Sequence, residues 1–266
     1  MAGRDVQALL AELAALVKAA GVKPSVHAYG PAADQRCDLL LPDRSRGARH
    51  FPVAVLLHGG FWRARFTRST LEALAVDLGA RGWASWNVEY RRVGSEGGPE
   101  RTLADVNAAI ARLGSLDAPI DLRRTVLIGH SAGGQLALCA AAGPQPVAGV
   151  VSLAGVCDLT AAARDAIGED ATVQFMGGTP EQRPAQYALA DPLGRVPASA
   201  PVLLVHGDAD RRVPVDHSRG YADAAVRAGG DCELVEISGA DHFDLIDPRT
   251  LAWTAVTDRL PRLALA

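Results

Sequence analysis

This chain is constrained most by the hexapeptide Gly129-His130-Ser131-Ala132-Gly133-Gly134 and by the runs on either side of it. Residues 125–128 before it are β-branched and aliphatic, and residues 135–141 after it are rich in alanine and leucine. This order predicts a strand, a tight turn and a helix. The turn leaves no room for a Cβ at its first and fifth residues, which are both glycine. We expect Ser131 at the tip of this strained turn, with its hydroxyl exposed above the sheet.

A short turn rich in glycine and serine can also join a strand to a helix without any chemical role. The flanking strand and helix favour a nucleophile elbow, because that is the context in which a Gly-x-Ser-x-Gly turn carries a reactive serine. The helix that begins beside Ser131 would direct its N-terminal amides and the positive end of its dipole toward an oxyanion formed there. The sequence therefore predicts a serine nucleophile.

Composition excludes several other classes of protein. Of the 266 residues, 48% are apolar, which is ample for a core. The 27 basic and 30 acidic residues form no block of one sign, so we expect no nucleic-acid partner. No run is long and apolar enough to cross a bilayer, and the four cysteines lack metal-ligand spacing. We expect a cytoplasmic protein with no membrane partner, no metal and no cofactor.

Strand and helix patterns alternate over most of the chain. Strand-like runs occur at 25–29, 36–41, 53–57, 84–90, 125–128, 148–154, 201–205 and 232–237, and helical spacing at 69–82, 103–116, 135–141, 218–228 and 250–263. This alternation predicts a mostly parallel, twisted sheet of about eight strands with helices on both faces. There is no linker or internal repeat, so we expect residues 1–266 to form a single α/β domain.

Some stretches fall outside this alternation. Residues 1–22 have helical spacing and predict a helix packed on the body of the protein, with a homodimer contact as the alternative use. Residues 160–200 contain no strong strand and several prolines and glycines, which predicts a small cap of short helices and loops. The charged stretch 43–50 predicts a loop. Thr102 with Asp105 resembles a capping box for the helix at 103–116.

A serine nucleophile needs a base, a group that orients the base, and a site for the oxyanion. In an open parallel sheet, functional groups gather beyond the carboxyl ends of the strands. Downstream of Ser131, the strands at 201–205 and 232–237 lead into loops that contain Asp210 and His242. Their chain order of Ser, Asp, His is the one that the elbow predicts.

Other acidic residues and histidines near these strand ends have simpler explanations. Asp208 and Asp241 compete with the chosen pair, but capping of the loops suits them better. We expect ring-to-backbone hydrogen bonds for three histidines that end strands, and a helix-surface position for a fourth. These residues are His58, His130, His206 and, on the helix, His217.

The segment His58-Gly59-Gly60-Phe61-Trp62 follows the buried strand at 53–57. Its glycines let backbone amides turn toward the elbow without obstruction by side chains. The amides of Gly60 and Phe61, with that of Ala132 after the nucleophile, would form the oxyanion hole. The alternative is a Gly-Gly turn followed by two core aromatic residues.

With these motifs in place, the chain resembles α/β-hydrolase fold serine hydrolases, in particular kynurenine formamidases and small esterases of the acetyl-esterase and hormone-sensitive-lipase type. The resemblance runs from about residue 25 to the C-terminus and implies Asp210 as the acid and Gly60, Phe61 and Ala132 as oxyanion donors. Hormone-sensitive-lipase-like members usually have a third glycine where this chain has Phe61, which favours the formamidase-like branch. The motifs that carry the resemblance are His58-Gly59-Gly60-Phe61-Trp62, Gly129-His130-Ser131-Ala132-Gly133, His206-Gly207-Asp208-Ala209-Asp210 with Val213-Pro214, and Asp241-His242-Phe243.

The resemblance implies acyl transfer to water through an acyl-enzyme, on a small ester or on an aryl or formyl amide. Short acyl groups with aromatic leaving groups, N-formylkynurenine included, would fit a small pocket under the cap. Each pocket candidate could equally be ordinary core packing; the candidates are Trp62, His130, Phe175, Met176, Tyr187 and Phe243. Long-chain triglycerides and peptides are not expected as substrates. Two further alternatives are a silent ligand-binding relative and a metal hydrolase that uses Asp208 and Asp210.

Overall fold

The computed structural model describes residues 5–43 and 49–265. Most of the loop predicted at 43–50 therefore lies outside the described residues, including Arg44 and Arg46. The described strands are β1 (Ser25–Ala28), β2 (Arg36–Leu40), β3 (Phe51–Leu57), β4 (Ala84–Val88), β5 (Ile120–His130), β6 (Gly149–Leu153), β7 (Val202–Gly207) and β8 (Cys232–Ile237). The described helices are α1 (Val6–Ala20), α2 (Glu72–Ala80), α3 (Pro99–Leu113), α4 (Ala132–Ala140), α5 (Leu159–Arg164), α6 (Ile167–Met176), α7 (Pro184–Ala190), α8 (Asp216–Arg227), α9 (Leu251–Thr257) and α10 (Leu260–Leu263).

All eight described strands belong to one sheet, in the order β1-β2-β4-β3-β5-β6-β7-β8. Strand β2 pairs antiparallel with β1 and β4, and every other pairing is parallel. The predicted sheet of about eight mostly parallel strands is confirmed. Parallel order places the carboxyl ends of β3 and β5 to β8 along one edge, where the segments predicted to carry the chemistry follow the strands.

The core has two layers, one on each face of the sheet. Strand β3 is buried throughout, and its side chains alternate between the layers, as expected for a strand covered on both faces. One layer contains Val55 and Leu57 with residues of α3 and α4. The other contains Ala54 and Leu56 with residues of α1, α2 and α9. Helices therefore cover both faces, as predicted.

Helix α1 packs on the second layer. Asp5 caps it by accepting hydrogen bonds from the N–H groups of Gln7 and Ala8. The helix ends at Gly21, whose φ of 66° is the left-handed conformation typical of a helix C-terminus. Leu9 and Leu13 are buried in the same apolar cluster as residues of α2. No helix among the described residues has the length and hydropathy required to span a bilayer.

The predicted capping box at Thr102 and Asp105 is wrong. Helix α3 begins at Pro99, whose fixed φ suits the first turn of a helix. Both candidate residues lie inside the helix and serve tertiary contacts instead. The Thr102 hydroxyl donates to the Arg91 carbonyl oxygen at 2.7 Å, and Asp105 accepts from the Gln35 amide, also at 2.7 Å.

Two predicted helices are interrupted. The pattern at 69–82 is a 3₁₀ turn, Arg68–Leu71, that leads into α2. The closing pattern at 250–263 is divided into α9 and α10, and Pro261 lies near the start of α10. A proline lacks the N–H group of the helical hydrogen bond, so it is tolerated at a helix start but not within a continuous helix. In the stretch 160–200, the structure has most of α5, all of α6 and α7, and a 3₁₀ turn at Pro192–Arg195.

Candidate active site

The turn between β5 and α4 positions Ser131. Its φ of 57° and ψ of −118° lie outside the usual regions for a residue with a side chain, as expected for a strained functional turn. A Cβ at Gly129 would lie 2.0 Å from the Gly133 carbonyl oxygen, and one at Gly133 would lie 2.0 Å from the Leu57 carbonyl oxygen. The prediction that neither glycine can carry a side chain is confirmed. Ser131 is only 1% exposed, so its hydroxyl is not open to solvent as expected but borders a small cavity.

Asp210 and His242 are in direct contact. The His242 Nδ1–H donates to Asp210 Oδ2 at 2.6 Å. The other carboxylate oxygen of Asp210 accepts from the backbone N–H groups of Arg212, at 2.7 Å, and Val213, at 3.0 Å. Because a carboxylate only accepts, this contact places the proton on Nδ1 and leaves Nε2 as the basic atom.

His206 holds the same carboxylate from a second side. Its Nε2 lies 2.9 Å from the Val213 carbonyl oxygen and 3.3 Å from Asp210 Oδ2. Burial alone would raise the pKa of Asp210, but the hydrogen bonds from His206, His242 and the Val213 N–H hold that pKa well below its ordinary value. Asp210 is therefore a fixed negative charge beside His242. The sequence predicted a backbone hydrogen bond for His206, but not this second contact.

Ser131 and His242 lie at the same cavity, but their side chains are not in direct contact through a hydrogen bond in the described structure. Both side chains line a cavity of about 60 Å³. Among the described residues, the Ser131 hydroxyl makes no hydrogen bond to the His242 ring. Catalytic hydrogen bonds are often long in a protein without substrate and tighten when substrate binds.

Of the three predicted oxyanion donors, Gly60 and Phe61 line this cavity, and Ala132 directly follows Ser131 in the chain. Ala132 opens α4, so its N–H has no carbonyl partner one turn back. Gly60 has a φ of 114°, and Phe61 has a φ of 55°, so the loop after β3 is held in conformations that side chains rarely adopt. At Gly59 a Cβ would lie 3.0 Å from the Cβ of Ser131. This loop therefore runs directly against the serine.

A buried ionic network supports the loop after β3. His58 Nδ1–H donates to the Gly59 carbonyl oxygen at 2.8 Å, and its Nε2 lies 2.8 Å from Glu89 Oε1. Arg92 lies 2.6 Å from the same oxygen, and the Arg68 N–H donates to the other at 3.0 Å. Burial opposes the charge on Glu89, but the contacts with His58 and Arg92 lower its pKa below the ordinary value.

Sequence reasoning missed Glu89. It follows β4 at the same carboxyl edge as the other site residues, so its position in the chain was a signal. The elbow motif places its acid downstream of the serine, whereas Glu89 lies upstream of Ser131.

His130 ties the elbow to the histidine loop. Its Nε2–H donates to the His242 carbonyl oxygen at 3.0 Å, and the two rings are 4.6 Å apart. Burial, with the neighbouring His242, lowers the pKa of His130 to about 3, so the ring is neutral at neutral pH. The expected surface position of His217 is wrong. That ring is buried and accepts the Asp158 N–H at 3.3 Å.

Two of the six residues predicted for the substrate pocket lie at the cavity, and whether they contact a substrate stays a prediction. His130 and Phe243 line the cavity, together with Phe61, Phe66 and Arg65. The other four lie in the packed core, because stacking and internal hydrogen bonds turn them away from the cavity. Trp62 stacks on Phe175 at 4.7 Å and donates to the Gln135 side chain, Tyr187 donates to the Gly178 carbonyl oxygen, and Met176 is buried among core residues.

The competing acidic residues have structural partners. Asp208 accepts the Gly239 N–H at 2.6 Å, and Asp241 accepts the N–H groups of Phe243 and Asp244. Within residues 5–43 and 49–265 there is no group of three or more His, Cys, Asp or Glu arranged to hold a metal ion. A larger groove of about 470 Å³ lies beside Leu113 and Arg123 and contains none of the predicted site residues.

Comparisons with known proteins agree with this architecture. The prolyl oligopeptidase family model matches residues 66–256. Isoprenylcysteine alpha-carbonyl methylesterase ICME of Arabidopsis thaliana is 27% identical over 245 residues, which are 82% of this chain and 56% of that protein. Esterase LipC of Mycobacterium tuberculosis is 29% identical over 221 residues, which are 74% of this chain and 54% of that protein. The chain thus spans about half the length of these curated relatives.

A solved structure matches nearly the whole chain. The thermophilic esterase Est2 of the planctomycete Thermogutta terrifontis superposes with a TM-score of 0.72 at 22% identity, over 91% of each chain. At this level of identity the likeness concerns the fold. It confirms the predicted α/β-hydrolase fold.

Proposed function

Because the chain belongs to the prolyl oligopeptidase family of α/β-hydrolases, we propose that it is a serine hydrolase that cleaves small carboxylic esters. One observation carries the proposal. His242 Nδ1 lies 2.6 Å from Asp210, and the same imidazole lines a cavity with Ser131 at the carboxyl edge of the sheet. Its partners are small molecules. A cytoplasmic location and the homodimer contact of α1 stay predictions.

In the proposed reaction, His242 Nε2 takes the Ser131 proton as the hydroxyl attacks a carbonyl carbon. Asp210 keeps the imidazole in the required tautomer and stabilises its protonated form. The oxyanion receives N–H groups from Gly60, Phe61 and Ala132, each worth about 3 kcal/mol in the transition state. His242 then gives its proton to the leaving group, and water attacks the acyl-enzyme by the same route.

The size of the cavity supports a short acyl group. Its volume is about 60 Å³, far below the volume of about 450 Å³ of the groove beside it. A long acyl chain does not fit without rearrangement. The relatives from Arabidopsis thaliana and Mycobacterium tuberculosis are named as esterases, and this supports ester cleavage over peptide cleavage within the family.

Cleavage of aryl formamides is the second candidate. A formyl group is the smallest acyl group, and the rings of Phe61 and Phe243 border the cavity. An arylformamidase, such as a kynurenine formamidase, would use the same three residues. Parallel kinetics on N-formylkynurenine and on short acyl esters distinguish the two, through the ratio of their kcat/KM values.

Hydrolysis of 4-nitrophenyl acetate by Ser131→Ala tests the proposal. We expect turnover to fall by several orders of magnitude, because the nucleophile is lost. Ser238→Ala is a matched control, since Ser238 is an exposed serine beside the histidine loop, and its rate should equal that of the wild type. A wild type whose activity does not depend on Ser131 would instead indicate a ligand-binding member of the family.

A further inference from the structure

Two arginines that lie far apart in the sequence both border the active-site cavity. Arg65 follows the loop after β3, and Arg212 lies in the loop that carries Asp210. The Arg65 guanidinium lies 4.9 Å from the centre of the Phe66 ring, and that of Arg212 lies 4.9 Å from the centre of the Phe243 ring. Both rings line the cavity, so the stacked arginines present their charge at its wall.

These two charges are not neutralised by carboxylates. In the part of the chain that the structure describes, Arg65 and Arg212 form no ion pair, whereas the nearby Arg63 lies 3.5 Å from Glu169. No Asp or Glu is among the residues that line the cavity. The chain as a whole has a formal net charge of −3, so this positive region opposes the overall balance.

The cavity opens beside a larger groove. The groove has a volume of about 450 Å³ and shares Phe61, Arg65 and Arg212 with the cavity. It adds two more arginines, Arg63 and Arg211, and two acidic residues, Asp165 and Glu169. Of these acids, Glu169 pairs with Arg63, so the groove keeps an excess of positive charge.

The cavity and the groove would hold two different parts of a substrate. The small cavity beside Ser131 accommodates a short acyl group, and the rest of the substrate must then lie toward the groove. A guanidinium binds a carboxylate through two parallel hydrogen bonds, which makes arginine well suited to recognise such a group.

We propose that the substrate is a short acyl ester or amide whose alcohol or amine part carries a carboxylate, bound by Arg65 and Arg212. This rests on the proposed hydrolase function and names its substrate class. The backbone N–H of Arg212 donates to Asp210 at 2.7 Å, so the loop that orients the base also fixes the start of a side chain that selects the substrate.

The test compares 4-acetoxybenzoate with 4-acetoxybenzamide, two acetate esters of similar size that differ in the charge of the leaving group. Each kcat/KM value is divided by the rate constant for hydroxide-catalysed hydrolysis, which removes the difference in intrinsic reactivity. We expect the wild type to prefer the carboxylate at least tenfold, and 0.5 M NaCl to reduce this preference, because salt screens charges at partly exposed sites.

Substitution of the two arginines tests whether they cause the preference for the carboxylate ester. Arg65→Gln and Arg212→Gln should each reduce the preference severalfold, mainly through KM for the carboxylate, and the double variant should abolish it. Arg123→Gln is the matched control. Its side chain is 90% exposed and lies near the start of β5, at the opposite end of the strand that leads to Ser131.

Three outcomes separate the two proposals. Equal kcat/KM values for both esters, with Ser131-dependent turnover, would refute the carboxylate preference and leave the hydrolase intact. A preference that survives in the double variant would refute the assignment to Arg65 and Arg212. Turnover that does not depend on Ser131 would refute the hydrolase, and the substrate class with it.

Discussion

At the scale of single residues, Asp210 is the most completely held group of the site. Both of its carboxylate oxygens accept hydrogen bonds, and four separate residues donate them: Arg212, Val213, His206 and His242. A neutral amide at this position would donate to His242 Nδ1 instead of accepting from it. The imidazole would then carry its proton on Nε2, the atom that accepts the Ser131 proton in the proposed reaction.

We therefore predict that Asp210→Asn lowers kcat by about 10⁴-fold with little change in KM. The measurement is steady-state kinetics on 4-nitrophenyl acetate. Asp208→Asn provides the matched control two residues away, because the Asp208 side chain accepts the Gly239 N–H and, within the part of the chain that the structure describes, makes no hydrogen bond to His242. Its kcat should stay within a fewfold of the wild type. Similar losses in both variants would mean that the loop, not the charge beside His242, sets the rate.

At the scale of elements, the strand–turn–helix unit of β5 and α4 depends on close backbone contact. A Cβ at Gly133 would lie 2.0 Å from the Leu57 carbonyl oxygen and 2.5 Å from that of His58. Both neighbours are backbone atoms of β3 and its loop, so neither can move aside without displacing the sheet. By contrast, a Cβ at Gly220, within α8, meets nothing within 4 Å.

Alanine substitution of these two glycines should change the free energy of unfolding, measured by urea denaturation, in opposite directions. Gly133→Ala should lower it by more than about 4 kcal/mol or prevent folding. Gly220→Ala should raise it by about 0.5–1 kcal/mol, because alanine favours a helix and has less freedom in the unfolded chain. A stable, active Gly133→Ala protein would contradict the close packing of the turn.

Local patterns predicted these elements well, and long-range contacts limited the predictions. A Cβ at Gly129 would meet the Gly133 carbonyl oxygen within the turn itself, so local sequence identifies this glycine. Gly133 fits the same turn motif, although the atoms that a Cβ there would meet belong to β3 and its loop. Trp62 and Phe175 stack across more than a hundred residues of chain, and no local pattern distinguishes a buried pair from a pocket wall. Glu89 was missed because it precedes Ser131 in the chain, and its contact with His58, which follows the neighbouring strand β3, produces no local pattern.

At the scale of the whole molecule, buried histidines make folding sensitive to acid. Burial lowers the pKa of His130 from 6.5 to about 3, and the ring faces His242, Asp210 and His206. As the pH falls below 6.5, the unfolded chain binds a proton that the folded chain excludes, so stability decreases. Asp191 acts in the opposite direction, because burial raises its pKa to about 6. The contribution of His130 to the pH dependence of stability must therefore be isolated by comparing the wild type with a His130 variant.

We predict that the difference in free energy of unfolding between the wild type and His130→Asn depends on pH. Asparagine does not titrate, so the difference should shift against the wild type by up to about 2 kcal/mol between pH 6.5 and pH 5, at about 1.4 kcal/mol per pH unit. Urea denaturation at several pH values measures it. A difference that is constant with pH would show that the His130 ring is protonated equally in both states.

Helix α1 lies far upstream of the family match, which begins at residue 66, yet its Leu10 lines the cavity beside Ser131. Leu9 and Leu13 anchor the helix in the core, so the side chain between them can vary without loosening its attachment. We therefore expect substitutions at this one position to change which acyl groups the proposed hydrolase admits, while the residues proposed to cleave the bond are left alone.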